Sequence, residues 1–490
     1  MKYILGIDIG TTNTKAVAYD LQGAPVAQAS STYAFISEQE GYHELDPRVL
    51  FTAVTEVMKA VLELLPRTQV AGVCFSSAMH GLIAVDEKCH PLTNMITWAD
   101  LRSSEYAMRL KFTDVGHRLY ERTGTPVHAM APLCKLMWMR DNQPGIFERA
   151  HKFISIKEYI YFHFFGEFII DHSVASSTGL FDIYDLDWNN EALHTAGISR
   201  EKLSKLVKTT HIITGLAENY ATMFGIDVNT PFVAGASDGC LAHIGSSALG
   251  SGDVSLTIGT SGAVRMMINR PAFDPKHRIF NYVLMENAYL SGGPLNNGGN
   301  VMQWFARGFL KKEFSRADEI EEFIAEACAV PAGSEGLVFL PYIYGERAPV
   351  WDAQARGIFF GVSAVHTAAH FMRAIMEGIS FALLEILNTM EETIGPSNQI
   401  FASGGFIRSD NWKKLLADVL GRKIYITHAE DSSAAGAAMV AMMALGLKKD
   451  FNEMRSFFSV KETYEPDMSD HEVYMRNYAV YSTLYEKFKR

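Results

Sequence analysis

The sequence predicts an α/β protein built from two domains of related topology, with a cleft between them. One short pattern occurs twice, because residues 9–12 read IGTT and residues 258–261 read IGTS, each between two apolar runs. An apolar run, a tight Gly/Thr turn and a second apolar run predict a hairpin of two strands. The small, glycine-rich segment 246–253 comes just before the second copy. We therefore divide the 490-residue chain into domains 1–245 and 246–490.

The two Gly/Thr turns predict a phosphate site. Such turns present backbone N–H groups and hydroxyls with no bulky side chain in the way, which suits phosphate oxygens. Two of them in two halves indicate one polyphosphate held from both sides, whereas the alternative for either copy alone is an ordinary hairpin. Asp8, on the strand that enters the first turn, is placed to hold a metal ion through water. The candidate phosphate contacts are Gly10, Thr11, Thr12, Gly259 and Thr260.

The rest of the first half alternates strands and helices. A helix is predicted over residues 46–65, where Asp46 and Pro47 supply the cap and the first turn. A buried strand is predicted over residues 70–77. Further strands are predicted over residues 81–87, after the turn at 79–81, and over 231–237, and a further helix is predicted over 240–249.

The second half repeats this alternation. Hairpins extend to about residue 290, and a Gly/Asn-rich loop then opens a helix near Gly299. A long amphipathic helix is predicted over residues 368–394. A strand over residues 399–403 leads into a helix for which Ser409 is the predicted N-cap.

Composition and charge limit the classes of partner that the protein is expected to bind. The formal net charge of −11 at pH 7 argues against nucleic acid as a partner. The five cysteines are scattered without CxxC or Cys/His spacing, which predicts free thiols in a reducing cytoplasm. The N-terminal apolar stretch meets Asp8 at once, so no signal peptide is predicted. The most apolar segment, residues 159–170, is too short to span a bilayer and is predicted to be a core element.

Asp238 is a candidate general base. It follows an apolar strand and precedes Gly239 and a helix, so its carboxylate is expected at the cleft, where it would accept a proton from a substrate hydroxyl. The alternative is that Asp238 only caps the helix that follows, which is common at junctions of this kind. Local sequence alone favours the cap.

A second candidate site lies between residues 79 and 102. Met79 and His80 form a turn between two strands, and Trp98, Asp100 and Arg102 follow shortly after. An imidazole ring, an aromatic surface, an acid and a base are what a pocket for a polyol or sugar acid needs. Hydroxyls take paired donors and acceptors, and a carboxylate takes Arg. The alternatives are a hydrogen-bonded turn histidine and an ion pair or cap made by Asp100 and Arg102.

A third candidate site lies at Gly404 and Gly405, which end a strand before the helix capped by Ser409. This arrangement has the shape of a nucleotide site. The polar loop over residues 345–349 contains a Glu–Arg pair that either organises the cleft or lies on the surface. The sequence has no Walker A run, so any use of ATP would not be of the P-loop type. It also has no zinc-site spacing, no dinucleotide fingerprint and no GxSxG turn.

Taken together, these segments resemble the FGGY family of carbohydrate kinases over essentially the whole chain. The first family signature is similar to residues 130–142, with Pro132, Lys135 and Trp138 in the expected places, and the second is similar to residues 357–377. The resemblance implies the actin-like, ribonuclease H-like ATPase fold, which accounts for the duplicated hairpins.

The resemblance also implies roles for individual residues. Asp8 and the turn at residues 10–12 would meet the phosphates of Mg–ATP, with Lys15 where relatives have Lys or Arg, and Asp238 would be the catalytic base. The Met-His pair at residues 79–80 matches the sugar-contacting pair of xylulokinase-like members. The implied nucleotide contacts in the second domain are Gly259, Thr260, Gly299, Gln303, Gly404, Gly405 and Ser409.

Within the family, the segments SSAMHG, ITWADLRS and YGERAPVWD resemble the gluconokinases. The predicted reaction is the ATP- and Mg²⁺-dependent phosphorylation of D-gluconate to 6-phospho-D-gluconate, with Arg102 as the candidate contact for the substrate carboxylate. Xylulokinase or another sugar or polyol kinase is the alternative of the same class. A non-enzymatic actin-like ATPase module is the alternative of a different class. Ser409 departs from some relatives, which carry Asn there.

The sequence predicts a cytoplasmic protein that acts on a small molecule and has neither nucleic acid nor a membrane as a partner. Its oligomeric state is left open by the sequence, with a homodimer as one option.

Overall fold

Two large mixed sheets dominate the structure. The computed structural model describes residues 2–313, 317–427 and 431–489. The first sheet takes its strands from residues 3–237 of the chain, and the second takes its strands from residues 254–464.

The first half of the chain contains strands β1 to β14 and helices α1 to α10. The strands are β1 (Tyr3–Ile9), β2 (Asn13–Asp20), β3 (Pro25–Thr32), β4 (Glu44–Leu45), β5 (Val70–Ser77), β6 (Ile83–Val85), β7 (Met95–Ile96), β8 (Lys152–Ile154), β9 (Ile169–Asp171), β10 (Phe181–Asp182), β11 (Asp187–Trp188), β12 (Lys205–Val207), β13 (Ile212–Ile213) and β14 (Phe232–Ser237). The helices are α1 (Pro47–Leu64), α2 (Ser104–Lys111), α3 (Asp114–Thr123), α4 (Pro132–Asn142), α5 (Pro144–Arg149), α6 (Ile156–Phe165), α7 (His172–Ser176), α8 (Asn190–Ala196), α9 (Glu218–Phe224) and α10 (Asp238–Gly245).

The second half contains strands β15 to β23 and helices α11 to α16. The strands are β15 (Val254–Ile258), β16 (Gly262–Ile268), β17 (Phe280–Met285), β18 (Ala288–Leu295), β19 (Val338–Leu340), β20 (Ile358–Phe360), β21 (Ile400–Ser403), β22 (Ile424–Thr427) and β23 (Val460–Tyr464). The helices are α11 (Gly299–Phe305), α12 (Ala317–Cys328), α13 (Ala368–Ile394), α14 (Asp410–Leu420), α15 (Ser432–Ala444) and α16 (Met468–Phe488).

The two sheets repeat one arrangement. The first has the order β13-β14-β5-β1-β2-β3, with β1 antiparallel to β2 and parallel to β5. The second has the order β17-β18-β16-β15-β21-β22-β23, with β15 antiparallel to β16 and parallel to β21. Each half therefore places a Gly/Thr hairpin beside a parallel strand, so the predicted α/β fold with two hairpins of related topology is confirmed.

Local chemistry explains where these elements begin. Strands β1 and β5 are buried along most of their length, as expected for central strands covered on both faces. The Asp46 carboxylate accepts a hydrogen bond from the Arg48 amide at the start of α1. The Ser409 hydroxyl accepts one from the Trp412 amide at the start of α14. Both predicted helix caps are confirmed.

One predicted strand is shorter than expected. The strand after the turn at residues 79–81 is confined to β6, which pairs with β8. The predicted strand covers residues 81–87, but β6 ends at Val85. It ends there because the Asp86 carboxylate accepts hydrogen bonds from the amides of Lys88 and His90 and closes a turn.

Helix α15 belongs to the second half of the chain but packs on the first sheet. A Cβ atom added at Gly6 of β1 would lie 2.2 Å from the carbonyl oxygen of Ala434. Helices α10 and α15 cross equally closely, since a Cβ atom at Gly245 would lie 1.9 Å from the carbonyl oxygen of Ser432. Such contact requires glycine. The boundary after residue 245 divides the strands of the first sheet from those of the second, but α15 lies after that boundary and packs on the first sheet. The predicted domain division therefore remains a prediction.

The apolar segment 159–170 lies in α6 and β9, where Tyr159, Ile160 and Phe164 are buried. Its prediction as a core element is confirmed. In the described parts of the chain, no helix is both long and apolar enough to cross a membrane.

Candidate active site

Asp8 stands at the end of β1, just before the first Gly/Thr turn. It lies opposite Lys15 on β2 and Ser76 on β5, and its carboxylate accepts a hydrogen bond of 2.7 Å from the Ser76 hydroxyl. Loss of water around the carboxylate, followed by the negative charge of Asp238, raises the pKa of Asp8 to about 7. Because the carboxylates of Asp8 and Asp238 lie close together, a hydrated cation bound there would stabilise their charged forms.

The first turn itself is held from behind by Tyr33. The Tyr33 hydroxyl donates to the Gly10 carbonyl at 2.7 Å, and the Tyr33 amide donates to the Thr12 carbonyl at 3.1 Å. The Gly10 amide closes the turn onto Asn13. Thr12 is exposed and Thr11 is partly exposed, so both hydroxyls are accessible to a ligand.

Lys15 forms an ion pair across the two halves of the chain. Its ammonium nitrogen lies 2.6 Å from Oδ1 of Asp431, the residue that precedes α15. A phosphate that binds Lys15 would have to share the ammonium group with Asp431. The phosphate contact of Lys15 stays a prediction.

The second Gly/Thr turn is tied to the start of α11. The Gly259 amide donates to the Ser261 carbonyl at 2.8 Å and closes the turn. The Gly299 amide donates to the Gly259 carbonyl at 2.8 Å, and the Asn300 amide donates to the Thr260 carbonyl at 3.2 Å. The turn and the first residues of α11 therefore form one rigid unit.

A cavity of about 850 Å³ opens beside this second turn. Gly405 has no heavy atom within 4 Å of the place where a Cβ atom would stand, so a ligand can approach its backbone closely. The size and the mixed wall suit a ligand as large as a nucleotide. Six residues predicted to contact nucleotide line the cavity: Gly259, Thr260, Gly299, Gln303, Gly405 and Ser409.

Two other features of this region have structural explanations. Gly404 has φ of +101°, and a Cβ atom there would lie 2.3 Å from the carbonyl oxygen of Ile258. Glycine is therefore needed at residue 404 for the packing of β21 against β15. The Ser409 hydroxyl donates to Glu321 at 3.0 Å and also caps α14. Direct contact of Gly404 or Ser409 with a nucleotide stays a prediction.

Asp238 is the first residue of α10 and one of its oxygens accepts a hydrogen bond of 2.7 Å from the Gly239 amide. Burial raises the pKa of Asp238, against the amides of Gly239 and Met79 and the positive charge of Arg265. The same carboxylate raises the pKa of Asp8. The structure thus brings Asp8, Asp238 and Met79 together, and a carboxylate with a raised pKa is a stronger base.

His80 is buried, with φ of +67°, in the turn that follows β5. Its Nδ1 lies 2.7 Å from the Ser177 carbonyl, which can only accept, so Nδ1 carries the hydrogen. Burial, followed by the charge of Lys135, holds the pKa of His80 well below its ordinary value. The ring is therefore neutral and its Nε2 is an acceptor, 3.5 Å from the Tyr282 hydroxyl on β17.

Lys135, in the first signature segment, positions this turn. Its buried ammonium group donates to the carbonyl oxygens of His80 at 2.6 Å, Thr97 at 2.8 Å and Ile96 at 3.1 Å. Burial lowers the pKa of Lys135 to about 7. These three bonds join the His80 turn to the segment that leads into Trp98.

Trp98 lies between the two halves of the molecule. The guanidinium carbon of Arg347 stands 4.6 Å from the centre of the Trp98 ring, which is cation–π geometry. The sequence interpretation that the Glu346–Arg347 loop organises the cleft is therefore favoured over a surface pair, since both side chains are buried.

The predicted contact of Arg102 with a substrate carboxylate is wrong. The Arg102 side chain is only 3% exposed and donates to both oxygens of Asp100 at 2.8 Å, and to Glu44. Its guanidinium group also stacks 3.9 Å from the centre of the Tyr42 ring. Asp100 is fully buried and also accepts a hydrogen bond from the His43 amide. Arg102 and Asp100 thus form a structural ion pair, and the prediction of substrate contact is corrected for both.

Sequence reasoning missed two residues that the fold places near His80 and Asp238. They are Arg265 on β16, whose charge acts on Asp238, and Tyr282 on β17, whose hydroxyl lies 3.5 Å from Nε2 of His80. A signal was available for Arg265, because it is a charged residue inside the apolar run AVRMM. Tyr282 is a common strand residue and gave no signal.

The carboxylates around Asp8 are the candidate ligands for a magnesium ion. Among the described residues, no group of three or more His, Cys, Asp or Glu side chains is arranged to hold a metal ion. Asp8, with Asp238 nearby, fits a cation that keeps most of its own water and binds few carboxylates, which is the usual mode of Mg²⁺.

Comparison with known proteins agrees with this geometry. Residues 3–245 match the N-terminal domain of the FGGY family of carbohydrate kinases, and residues 254–445 match its C-terminal domain. The chain is 40% identical to a gluconokinase of Bacillus subtilis over 470 residues, 95% of this chain and 92% of that one.

Two solved structures from Lactobacillus acidophilus are also similar. One is described as a gluconate kinase, with TM-score 0.94 and 36% identity, and the other as a ligand-bound xylulose kinase, with TM-score 0.94 and 37% identity. Each alignment covers 99% of this chain and 98% of the other. With its duplicated hairpins and its two matching domains, the chain belongs to the FGGY family of carbohydrate kinases.

Proposed function

We propose that this carbohydrate kinase transfers the terminal phosphoryl group of ATP to the primary hydroxyl of D-gluconate and forms 6-phospho-D-gluconate. The observation that carries the proposal is the position of Asp238. Its carboxylate lies between the first Gly/Thr turn, the Met79–His80 turn and the cationic Arg265. The similarity to gluconokinases supports gluconate as the substrate.

The chain's own residues have separate roles in this proposal. Asp238 accepts the proton of the attacking hydroxyl, and its raised pKa makes it a better base than an exposed aspartate. The neutral Nε2 of His80 accepts a hydrogen bond from a sugar hydroxyl. The two Gly/Thr turns hold the phosphates from opposite sides, so that the reacting atoms are oriented before transfer.

The proposed cofactors are ATP and Mg²⁺. The cavity beside the second turn takes the nucleoside, and Asp8 holds the hydrated metal. When bound, Mg²⁺ supplies positive charge that stabilises the phosphates during transfer. The Ser76 hydroxyl orients the Asp8 carboxylate for that contact.

D-xylulose or a related ketopentose is the second candidate substrate. The specific observation in its favour is the similarity to the structure described as a xylulose kinase, which equals the similarity to the gluconate kinase structure. A neutral sugar would make the same contacts with His80 and Asp238 and would leave the cations of the cleft without a partner.

A coupled assay of ADP release tests the proposal. Purified protein is supplied with ATP and Mg²⁺ and then with gluconate, xylulose, ribulose or glycerol, with a sample lacking sugar as the control. We expect the highest kcat/KM with gluconate and a product whose phosphorus signal splits as a primary phosphate ester. Preference for xylulose would contradict the gluconate assignment. ADP release that does not depend on any added sugar would contradict the whole proposal.

A further inference from the structure

Arg265 is a cation without a protein partner in the described parts of the chain. It makes no hydrogen bond there, and no carboxylate lies within ion-pair distance of it, whereas two buried cations elsewhere are paired. Lys157 lies 2.7 Å from Asp171, and Arg373 lies 2.9 Å from Glu377. Arg265 is partly exposed, and the carboxylate of Asp238 attracts it without forming an ion pair. A guanidinium group with unused donors in a cleft is suited to bind an anion.

The position of Arg265 points to the sugar side of the cleft. A Cβ atom at Gly239, next to Asp238, would stand 3.2 Å from Nε of Arg265 and 2.9 Å from the terminal methyl of Met79. The guanidinium group therefore packs against the first turn of α10, beside Met79. It does not contribute to the wall of the nucleotide cavity.

Arg347 supplies a second cation with unused donor capacity. Its side chain donates to the Leu295 carbonyl at 2.8 Å, but its Nε is buried and has no partner among the described residues. Arg347 is only 8% exposed, so water cannot readily satisfy that group. The charges of both arginines act on the hydroxyl of Tyr282, which in turn faces Nε2 of His80.

The spacing along β16 fits a substrate with two different ends. The second Gly/Thr turn ends at Gly262, and Arg265 is three residues further along the strand, which is about 10 Å of extended chain. An extended six-carbon acid has its primary hydroxyl at one end and its carboxylate at the other. With the hydroxyl near the phosphates and Asp238, the acid would lie along the first turn of α10, and its carboxylate would face Arg265, which packs against Gly239.

We propose that Arg265 and Arg347 form the carboxylate-binding end of the sugar pocket, and that Arg265 makes the kinase selective for an aldonic acid over a neutral polyol or ketose. The inference rests on the proposed gluconate kinase activity. It replaces Arg102, whose donors are used by Asp100 and Glu44, with a cation that is free to bind. Two planar guanidinium groups suit a carboxylate because each can donate in parallel to both oxygens.

The test compares gluconate with its neutral amide, gluconamide, which has nearly the same shape. We expect Arg265→Gln to lower kcat/KM for gluconate roughly 10- to 100-fold, the range for losing a hydrogen bond to a charged group, and to change kcat/KM for gluconamide less than about threefold. Equal losses on the two substrates, or a higher KM for ATP with no effect on gluconate, would overturn the inference. Those results would instead indicate a contact with the transferred phosphoryl group.

Control variants separate recognition from folding. Arg270→Gln makes the same change at an exposed position just past the end of β16 and should leave both substrates unaffected. Arg102→Gln should lower activity equally on both substrates, because it breaks a structural ion pair. Melting temperatures show whether each variant is folded. If Arg265→Gln does not fold, Arg265→Met keeps much of the bulk and also removes the charge, and the same comparison then decides the inference.

Assays of the wild-type enzyme separate failure of the proposed function from failure of the inference about Arg265. If it does not phosphorylate gluconate, the proposed function fails and this inference fails with it. If it prefers gluconate but Arg265→Gln loses both substrates equally, only the inference fails.

Discussion

The two Gly/Thr hairpins share a backbone plan but differ in charge. Asp8 of β1 lies opposite Ser76 of the neighbouring parallel strand, and Thr257 of β15 lies opposite Ser403 in the same register. In the first hairpin a serine hydroxyl donates to a carboxylate at 2.7 Å. In the second, two hydroxyls lie 3.1 Å apart and no charge is present between them.

This difference shows how two copies of one backbone arrangement can take on different chemical roles. The first hairpin stands among acids and therefore suits a cation and proton transfer. The second hairpin offers backbone groups and hydroxyls to a wide cavity and therefore suits the nucleotide. The geometry is common to both halves, so the specialisation depends on a single carboxylate and its neighbours.

The sharpest way to break the comparison is Asp238→Asn, which removes the proposed base beside the first hairpin. We expect kcat to fall about a hundredfold or more, the usual contribution of a general base, while nucleotide affinity stays near the wild-type value. Coupled ADP release and isothermal titration measure the two effects. Asp227→Asn, at an exposed site before the strand that ends at residue 237, is the matched control. Near-normal turnover of Asp238→Asn would remove this residue from the mechanism.

A matched pair of variants compares the two turns directly. Thr260→Val and Thr11→Val each delete one hydroxyl and keep the shape, and losing a hydrogen bond to a charged group costs roughly 1.5–3 kcal/mol. We expect Thr260→Val to raise the KM for ATP, because Thr260 lines the cavity that we propose for the nucleotide. Thr11→Val should act mainly on kcat, because its turn follows Asp8. Steady-state kinetics at saturating sugar check this, and identical effects would argue that the two turns are equivalent.

The smallest expected effect concerns pH. The pKa of Asp8 is raised to about 7, so its carboxylate takes up a proton as the pH falls through that value. Protonation removes the charge that would hold Mg²⁺, so affinity for Mg–nucleotide should fall about eightfold between pH 7.5 and pH 6.0 from this one group. Titration calorimetry of the wild-type protein and of Asp8→Asn isolates the contribution. An equally steep pH dependence in Asp8→Asn would contradict the assignment.

The same pKa shift affects stability in the opposite direction, because the free energy of unfolding falls with rising pH whereas the affinity for Mg–nucleotide rises. Because the folded-state pKa of Asp8 lies above its ordinary value of 3.8, the folded protein binds more protons than the unfolded chain between these values. The contribution of Asp8 to the free energy of unfolding therefore declines as the pH rises from about 4 to about 7. Asp8→Asn should raise the melting temperature relative to the wild type at pH 8 more than at pH 5.

The elements that could be predicted from the sequence depend on local chemistry. The strand over residues 70–77 is a continuous apolar run, and the caps Asp46 and Ser409 act on amides within three residues of themselves. The Gly/Thr turns are also local features. Their joint meaning became clear because the pattern occurs twice and resembles a known family.

The pairing of the cations in the cleft could not be predicted, because it depends on segments that are far apart in the sequence. The conformation of Arg102 depends on Glu44, which is 58 residues earlier in the chain and accepts a hydrogen bond from its guanidinium group. Arg265 and Arg347 come from a strand and a loop that only tertiary packing brings near Tyr282 and His80. An arginine two residues after an aspartate in the sequence therefore gave a plausible but wrong substrate contact.

The crossing of α15 onto the first sheet has a consequence for how the protein is made. The apolar face formed by Ile4, Val17, Cys74 and Val233 is covered by α15, within the range 434–442. A nascent chain delivers those residues only when nearly all of it has been synthesised. The sheet that is made first is therefore among the last parts to be completed, and a fragment that ends before residue 431 would leave that face exposed to chaperones and to aggregation.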